Sequence, residues 1–151
     1  MEKTIHIDRI DRKIVTELAG NAQISMTALG KEVGLSKSPT LARVRRLERD
    51  GIIKGYRADL NLEKLGLSHI AFVQVTLENT KSEALDAFNA AVLRHSEIEA
   101  AHMIAGGFDY LLKVRTKDIT AYRKTLGETI AALPHVSQTT TFITMETVKE
   151  S

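Results

Sequence analysis

A chain of 151 residues is long enough for one ordinary domain or two small ones, and too short for most multi-domain enzymes. Hydrophobic residues make up 43% and charged residues 26%, the balance of a soluble globular protein rather than a disordered tail. The absence of cysteine excludes disulfides, thiolate nucleophiles and Cys-ligated zinc together, and the expected compartment is a reducing cytoplasm. No apolar run approaches the roughly 18 residues of a membrane span, and Met1-Glu2-Lys3-Thr4 is not expected to open a signal peptide.

The net charge of +2 is unevenly divided. Residues 1–60 hold twelve Lys/Arg against eight Asp/Glu, whereas residues 61–151 hold nine against eleven. Lys37 to Arg57 alone carries seven basic groups opposed only by Glu48 and Asp50. A basic stretch beside a slightly acidic remainder fits one part facing a polyanion and another doing different work. By itself the same run fits a solvated helix face equally well.

Three short helices are expected in residues 1–60. Asp8 caps the first, with Ile10, Ile14, Val15 and Leu18 on one arc, and Gly20-Asn21 ends it. Ser25 caps the second, whose apolar positions are Met26, Leu29 and Val33, and Gly34 supplies a left-handed stop. The third starts near Lys37, capped by Ser36 or Ser38, with Pro39 in its first turn, where a missing N–H costs nothing. Two helices joined by a tight Gly-containing turn, the second rich in arginine, make a helix-turn-helix pattern.

A helical wheel sends Leu41, Val44 and Leu47 inward. Ser38, Ala42, Arg45, Arg46 and Arg49 fall broadly opposite, with Lys37 and Arg43 on the flanks. Small and polar groups at the N-terminal end suit base edges in the major groove, and arginines further along suit phosphates. The expected DNA-binding set is Lys37, Ser38, Thr40, Ala42, Arg43, Arg45, Arg46 and Arg49. Ile52 to Leu60 reads as a short extended piece, and residues 61–67 as a linker of little regular character.

Residues 68–151 alternate strand and helix. His69–Leu77 is a β-rich run, Ser82 to His95 an amphipathic helix on Leu85, Phe88 and Val92, and Ile98 to Ala105 a strand. Gly106-Gly107 turns into a returning strand from Tyr110 to Arg115. Asp118 caps a helix on Ile119, Tyr122, Leu126, Ile130 and Leu133 that Pro134 closes, and Val136 to Val148 is the last strand. The order βαββαβ is the ferredoxin-like arrangement, so the whole is an α+β protein with an N-terminal winged-helix-like helix-turn-helix domain. On the first strand Ala71, Val73, Val75 and Leu77 face the helices. That leaves Ile70 and Phe72 beside Gln74 and Thr76 on a half-apolar outer face, an incentive to form a homodimer.

The segment from Leu35 to Ile53 resembles the recognition-helix region of the Lrp/AsnC (leucine-responsive, feast/famine) transcription regulators. Gly107 to Lys113 and Ala121 to Thr129 resemble the ligand-sensing domain of the same family, on the branch of Lrp and the activators of proline catabolism. The resemblance covers essentially the whole chain. It implies a DNA-binding regulator of amino-acid metabolism genes, dimeric through its C-terminal domain and assembling to octamers, with an amino acid such as leucine or proline bound where dimers meet. Carried over, the effector-binding residues are Met103, Ala105, Gly106, Gly107, Phe108 and Asp109 in the loop, and Gln138, Thr139, Thr140 and Thr141 in the last strand. Backbone N–H groups at Gly106-Gly107 suit a carboxylate, Asp109 an ammonium, and the Thr139 and Thr141 hydroxyls a polar shell.

Plainer readings stand beside these: a hairpin turn at Gly106-Gly107, and good strand formers at Thr139–Thr141. The five histidines show no ligand spacing, so neither metal nor cofactor is expected, and no nucleophile elbow, Walker loop or GxGxxG marks an enzyme. An RNA-binding module would need more than the single aromatic of the Tyr110 strand, and an amino-acid-processing enzyme would leave the helix-turn-helix unexplained. A DNA-organising protein of the same architecture without an effector is the alternative that the residues oppose least.

Overall fold

The computed structural model describes residues 6–150, so the reading of Met1–Thr4 lies outside the described residues. The chain divides after Leu60 into two compact units.

The first unit is three helices: α1 (Arg9–Gly20), α2 (Met26–Val33) and α3 (Lys37–Arg49). Asp8 caps α1 in a reciprocal box with Asp11, each side chain accepting the other's backbone N–H. Ser25 caps α2 through the Ala28 N–H, and Gly34 ends it in the left-handed region at φ 76°. Ile14, Leu18, Leu29, Val33, Val44 and Leu47 form the buried core, with Ile10, Val15, Met26, Leu35, Ile52 and Ile53 against it. The segment after α3 forms no strand. Tyr56 Oη donates to Glu48 Oε1 at 2.8 Å, returning that segment to the end of α3.

The second unit is a four-stranded antiparallel sheet with helices on one face. Its elements are β1 (His69–Leu77), α4 (Ser82–Val92), β2 (Ile98–Met103), β3 (Tyr110–Thr116), α5 (Ile119–Thr125) and β4 (Val136–Ile143), in sheet order β2-β3-β1-β4. This is the expected βαββαβ layout. Ala71, Val73, Val75 and Leu77 pack with Leu112, Val114, Phe88, Val92, Tyr122 and Ile130. Period-two alternation on β1 and β3 meets the apolar arcs of α4 and α5.

Three expectations are corrected here. Residues 61–67 are a hydrogen-bonded turn rather than irregular linker: Leu67 N–H donates to Leu62 O, Lys64 N–H to Asn61 Oδ1, and Gly66 takes φ 77°. The last helix is not uniform, since α5 widens into a π-helical turn over Leu126–Ile130, with Ala131 N–H donating to Leu126 O. Tyr122, Leu126 and Ile130 are spaced by four, longer than the 3.6-residue period, and the wider turn keeps all three on the core side. Ile119, expected in the core, is 56% exposed at the start of α5.

Candidate nucleic-acid interface and effector loop

The approach of α2 to α3 decides which side of α3 is open. Leu35 N–H donates to Gly30 O at 2.8 Å, closing the turn. A Cβ at Gly30 would stand 2.6 Å from Leu35 O and 3.0 Å from Thr40 Oγ1, so only glycine admits α3 this closely. Gly30 is absent from the expected functional set, although an isolated glycine inside a helix costs about 1 kcal/mol and is therefore a signal of close packing.

The contact has a consequence for Thr40. Its side chain is fully buried on the side of α3 that faces Gly30, with Oγ1 donating to Ser36 O at 2.8 Å, so Thr40 does not belong to a DNA-facing set. Leu41, expected inward, is only partly buried. Ser36 holds the cap position of α3 but makes no side-chain cap bond, which leaves the first-turn N–H groups complementary to an anion.

The remaining side chains sort into two groups. Lys37, Ser38, Ala42, Arg45 and Arg49 are exposed, and positions 38, 42, 45 and 49 follow one helical stripe. Arg43 and Arg46 are turned toward α1 instead. Arg43 Nη1 donates to Asp8 Oδ2 at 2.6 Å and to Asp11 Oδ1 at 2.8 Å, and Arg46 Nη2 donates to Asp11 Oδ2. The wheel put Arg46 on the open side; the carboxylate of Asp11, only 1% exposed, draws it to the other. Asp8 is held well below the usual carboxylate range, at about 2, by the Asp11 backbone N–H first and by Arg43 second.

In the second unit the loop between β2 and β3 is closed by Ile104 N–H donating to Asp109 O at 2.8 Å, and Ala105, Gly106 and Gly107 are exposed at its tip. Neither glycine has a positive φ. A Cβ at Gly107 would meet nothing within 4 Å, and one at Gly106 would make only an ordinary 3.5 Å contact with Ile104 Cγ2. Backbone handedness and packing therefore do not require glycine at either place. Asp109 is already engaged: Oδ2 accepts the Leu77 N–H at 2.7 Å, and its own N–H donates to Val75 O at 2.9 Å.

The strand residues of the expected effector set divide between the two sheet faces. Thr139 pairs with Val75 and Thr141 with Val73, on the helix side. Gln138 pairs with Thr76 and Thr140 with Gln74, on the open side. The Thr141 hydroxyl lies 2.5 Å from Tyr122 Oη, whose phenol burial raises, so this hydroxyl belongs to the α5 contact. One ligand held within a single unit cannot reach all four strand residues. Thr141 instead lines a hollow of about 580 Å³ with Ile119, Tyr122, Leu126 and Ile143.

The open sheet face carries Phe72 and Phe142 as direct cross-strand partners, 37% and 50% exposed. Ile70, expected beside them, is buried rather than open. At that end Lys113 and Arg115 hold both Glu99 and Glu150, with Lys113 Nζ 3.1 Å from Glu99 Oε2 and Arg115 Nη2 3.2 Å from Glu150 Oε2. Burial alone would raise the Glu99 carboxyl; the two cations outweigh it and hold it low.

The helix-turn-helix, its basic open stripe and the appended sheet domain define a DNA-binding transcription regulator. Residues 70–151 match the family described as Lrp/AsnC ligand binding domain, and residues 7–54 match winged helix-turn-helix DNA-binding. The chain belongs to the Lrp/AsnC family. It is 53% identical to a proline dehydrogenase transcriptional activator of Rhodobacter capsulatus over 95% of this chain and 94% of that protein. It is 50% identical to the leucine-responsive regulatory protein of Escherichia coli K12 over 96% of this chain and 88% of that one. Among solved structures, a transcriptional regulator of Neisseria meningitidis in complex with L-Met has a TM-score of 0.90 at 29% identity, covering 97% of this chain and 94% of that one. Escherichia coli AsnC has a TM-score of 0.87 at 26% identity, covering 97% of each chain. Among the described residues no helix is long and apolar enough to cross a membrane.

Proposed function

We propose that this chain is a cytoplasmic regulator of amino-acid metabolism genes that reads duplex DNA with the open side of α3 and responds to an amino acid, leucine or proline in the first instance. The observation that carries the DNA reading is the division of α3 into a buried side on Thr40, Val44 and Leu47 and an exposed stripe on Ser38, Ala42, Arg45 and Arg49. Ser38 and Ala42 are small enough to admit base edges, and Arg45 and Arg49, further along the same stripe, suit phosphates. Relatives named for proline dehydrogenase activation and for leucine response support the effector class.

The loop from Met103 to Asp109 is the proposed effector contact. Glycine at 106 and 107 has no structural requirement, so its use there fits close approach of the backbone to a ligand carboxylate. Gln138 and Thr140 are the strand residues on the same open face as the phenylalanine pair. The chain acts as a homodimer through that face, which brings two copies of α3 into one particle and assembles further, to an octamer. By linkage, an amino acid that binds one assembly better than another shifts the population and with it the spacing of the recognition helices.

One observation favours the reading without an effector: the Asp109 carboxylate and the Thr141 hydroxyl are both occupied by contacts inside the domain. Calorimetric titration of leucine, proline and methionine into the protein separates the two readings when run on the wild type and on Gly107→Ala. The proposal predicts binding that Gly107→Ala weakens without any change in thermal stability. Absence of heat for leucine, proline and methionine alike selects the effector-free reader.

A further inference from the structure

We infer that Asp8 and Asp11 form a carboxylate clamp that fixes the rotation of α3 and withdraws Arg43 and Arg46 from phosphate contact, making these two arginines positioning residues for the DNA-reading stripe rather than members of it. The inference rests on the proposal that the open side of α3 reads DNA. Its physical basis is the sharing of oxygens. Asp8 Oδ1 accepts the Asp11 N–H and Oδ2 accepts Arg43; Asp11 Oδ1 accepts Arg43, and Oδ2 accepts both Arg46 and the Asp8 N–H. The same two side chains therefore close the N-terminus of α1 and grip the middle of α3.

A carboxylate that is 1% exposed needs compensating charge, and two guanidinium groups supply it. Arg43 and Arg46 are three apart, so both face α1 only when α3 has one rotation about its axis. That rotation is the one that turns Ser38, Ala42, Arg45 and Arg49 outward. The clamp also neutralises half of the four arginines of α3, which lowers attraction that is indifferent to sequence while leaving base-edge contacts intact.

The test is the salt dependence of binding to a random duplex and to a genomic fragment that the protein retains. Arg45→Ala is expected to reduce the slope of log K against log salt by about 0.9, the loss of one phosphate contact. Arg46→Gln is expected to leave that slope unchanged while lowering the melting temperature. Asp8→Asn keeps a side chain able to cap α1 but removes one of the two carboxylate charges that hold Arg43. It is expected to steepen the slope on random DNA by up to about 0.9 and to lower the ratio of specific to random affinity. A merely structural pairing would not steepen the slope. An Arg46→Gln slope reduced as much as that of Arg45→Ala overturns the clamp and leaves the DNA-reading stripe standing. A slope that Arg45→Ala does not move overturns the stripe, and the inference falls with it.

Discussion

Asp109 Oδ2 accepts the backbone N–H of Leu77 at 2.7 Å, so the residue that closes the β2–β3 loop also fastens that loop to the end of β1. An ionised acceptor on a backbone donor is the stronger kind of hydrogen bond. Asp109→Ala is therefore expected to lower stability by about 1–3 kcal/mol, because it leaves the Leu77 N–H without its acceptor. Asp109→Asn keeps an acceptor oxygen and costs less. Urea unfolding of the two variants checks the order. Equal stability of Asp109→Ala and wild type would return Asp109 to a purely ligand-facing role.

Thr40 and Ser38 stand two residues apart on α3, and the structure gives them opposite roles. Thr40→Val removes a buried donor to Ser36 O and is expected to cost about 1 kcal/mol while leaving DNA sequence preference unchanged. Ser38→Ala is expected to change the preferred sequence with little effect on stability. Selection of preferred sites from a randomised duplex pool, together with melting curves, separates the two. A changed preference in Thr40→Val would contradict the burial of its hydroxyl.

Features set by neighbours in the sequence are legible in it, and contacts between distant segments are not. Helix starts at Asp8, Ser25 and Asp118 and the strand from His69 to Leu77 follow from local rules, namely side-chain caps and period-two alternation, and the structure places them as expected. The partners of Arg43 and Arg46 are a long-range matter: Asp8 and Asp11 lie 32 to 35 residues before them, and no local rule turns an arginine toward a carboxylate at that distance. Thr40 sits near the boundary of the wheel, and its burial follows from the absence of a Cβ at Gly30 on another helix. The division of Gln138 and Thr140 from Thr139 and Thr141 was available from strand alternation, but the family resemblance treats the four as one run.

The Asp8 carboxyl gives the first unit a defined acid response. Its value falls from the ordinary 3.8 to about 2, through the Asp11 N–H and then Arg43. A group lowered on folding contributes stability that is fully present above the unfolded value and is lost as pH falls through the folded one. The stability difference between wild type and Asp8→Asn is thus expected to be constant at neutral pH and to shrink from about pH 4 to about pH 2. Denaturant unfolding across that range measures it, and carboxyl NMR titration locates the value directly. A difference that grows on acidification would contradict the assignment.

The most direct measurement is retention of genomic DNA fragments by the protein at physiological salt, with and without a mixture of the twenty amino acids. Enrichment of a few promoter fragments whose recovery changes with the mixture is expected, and dividing the mixture then identifies the effector. Retention of fragments without regard to sequence, unaltered by any amino acid, would contradict both the reading stripe on α3 and the effector loop at Gly106-Gly107.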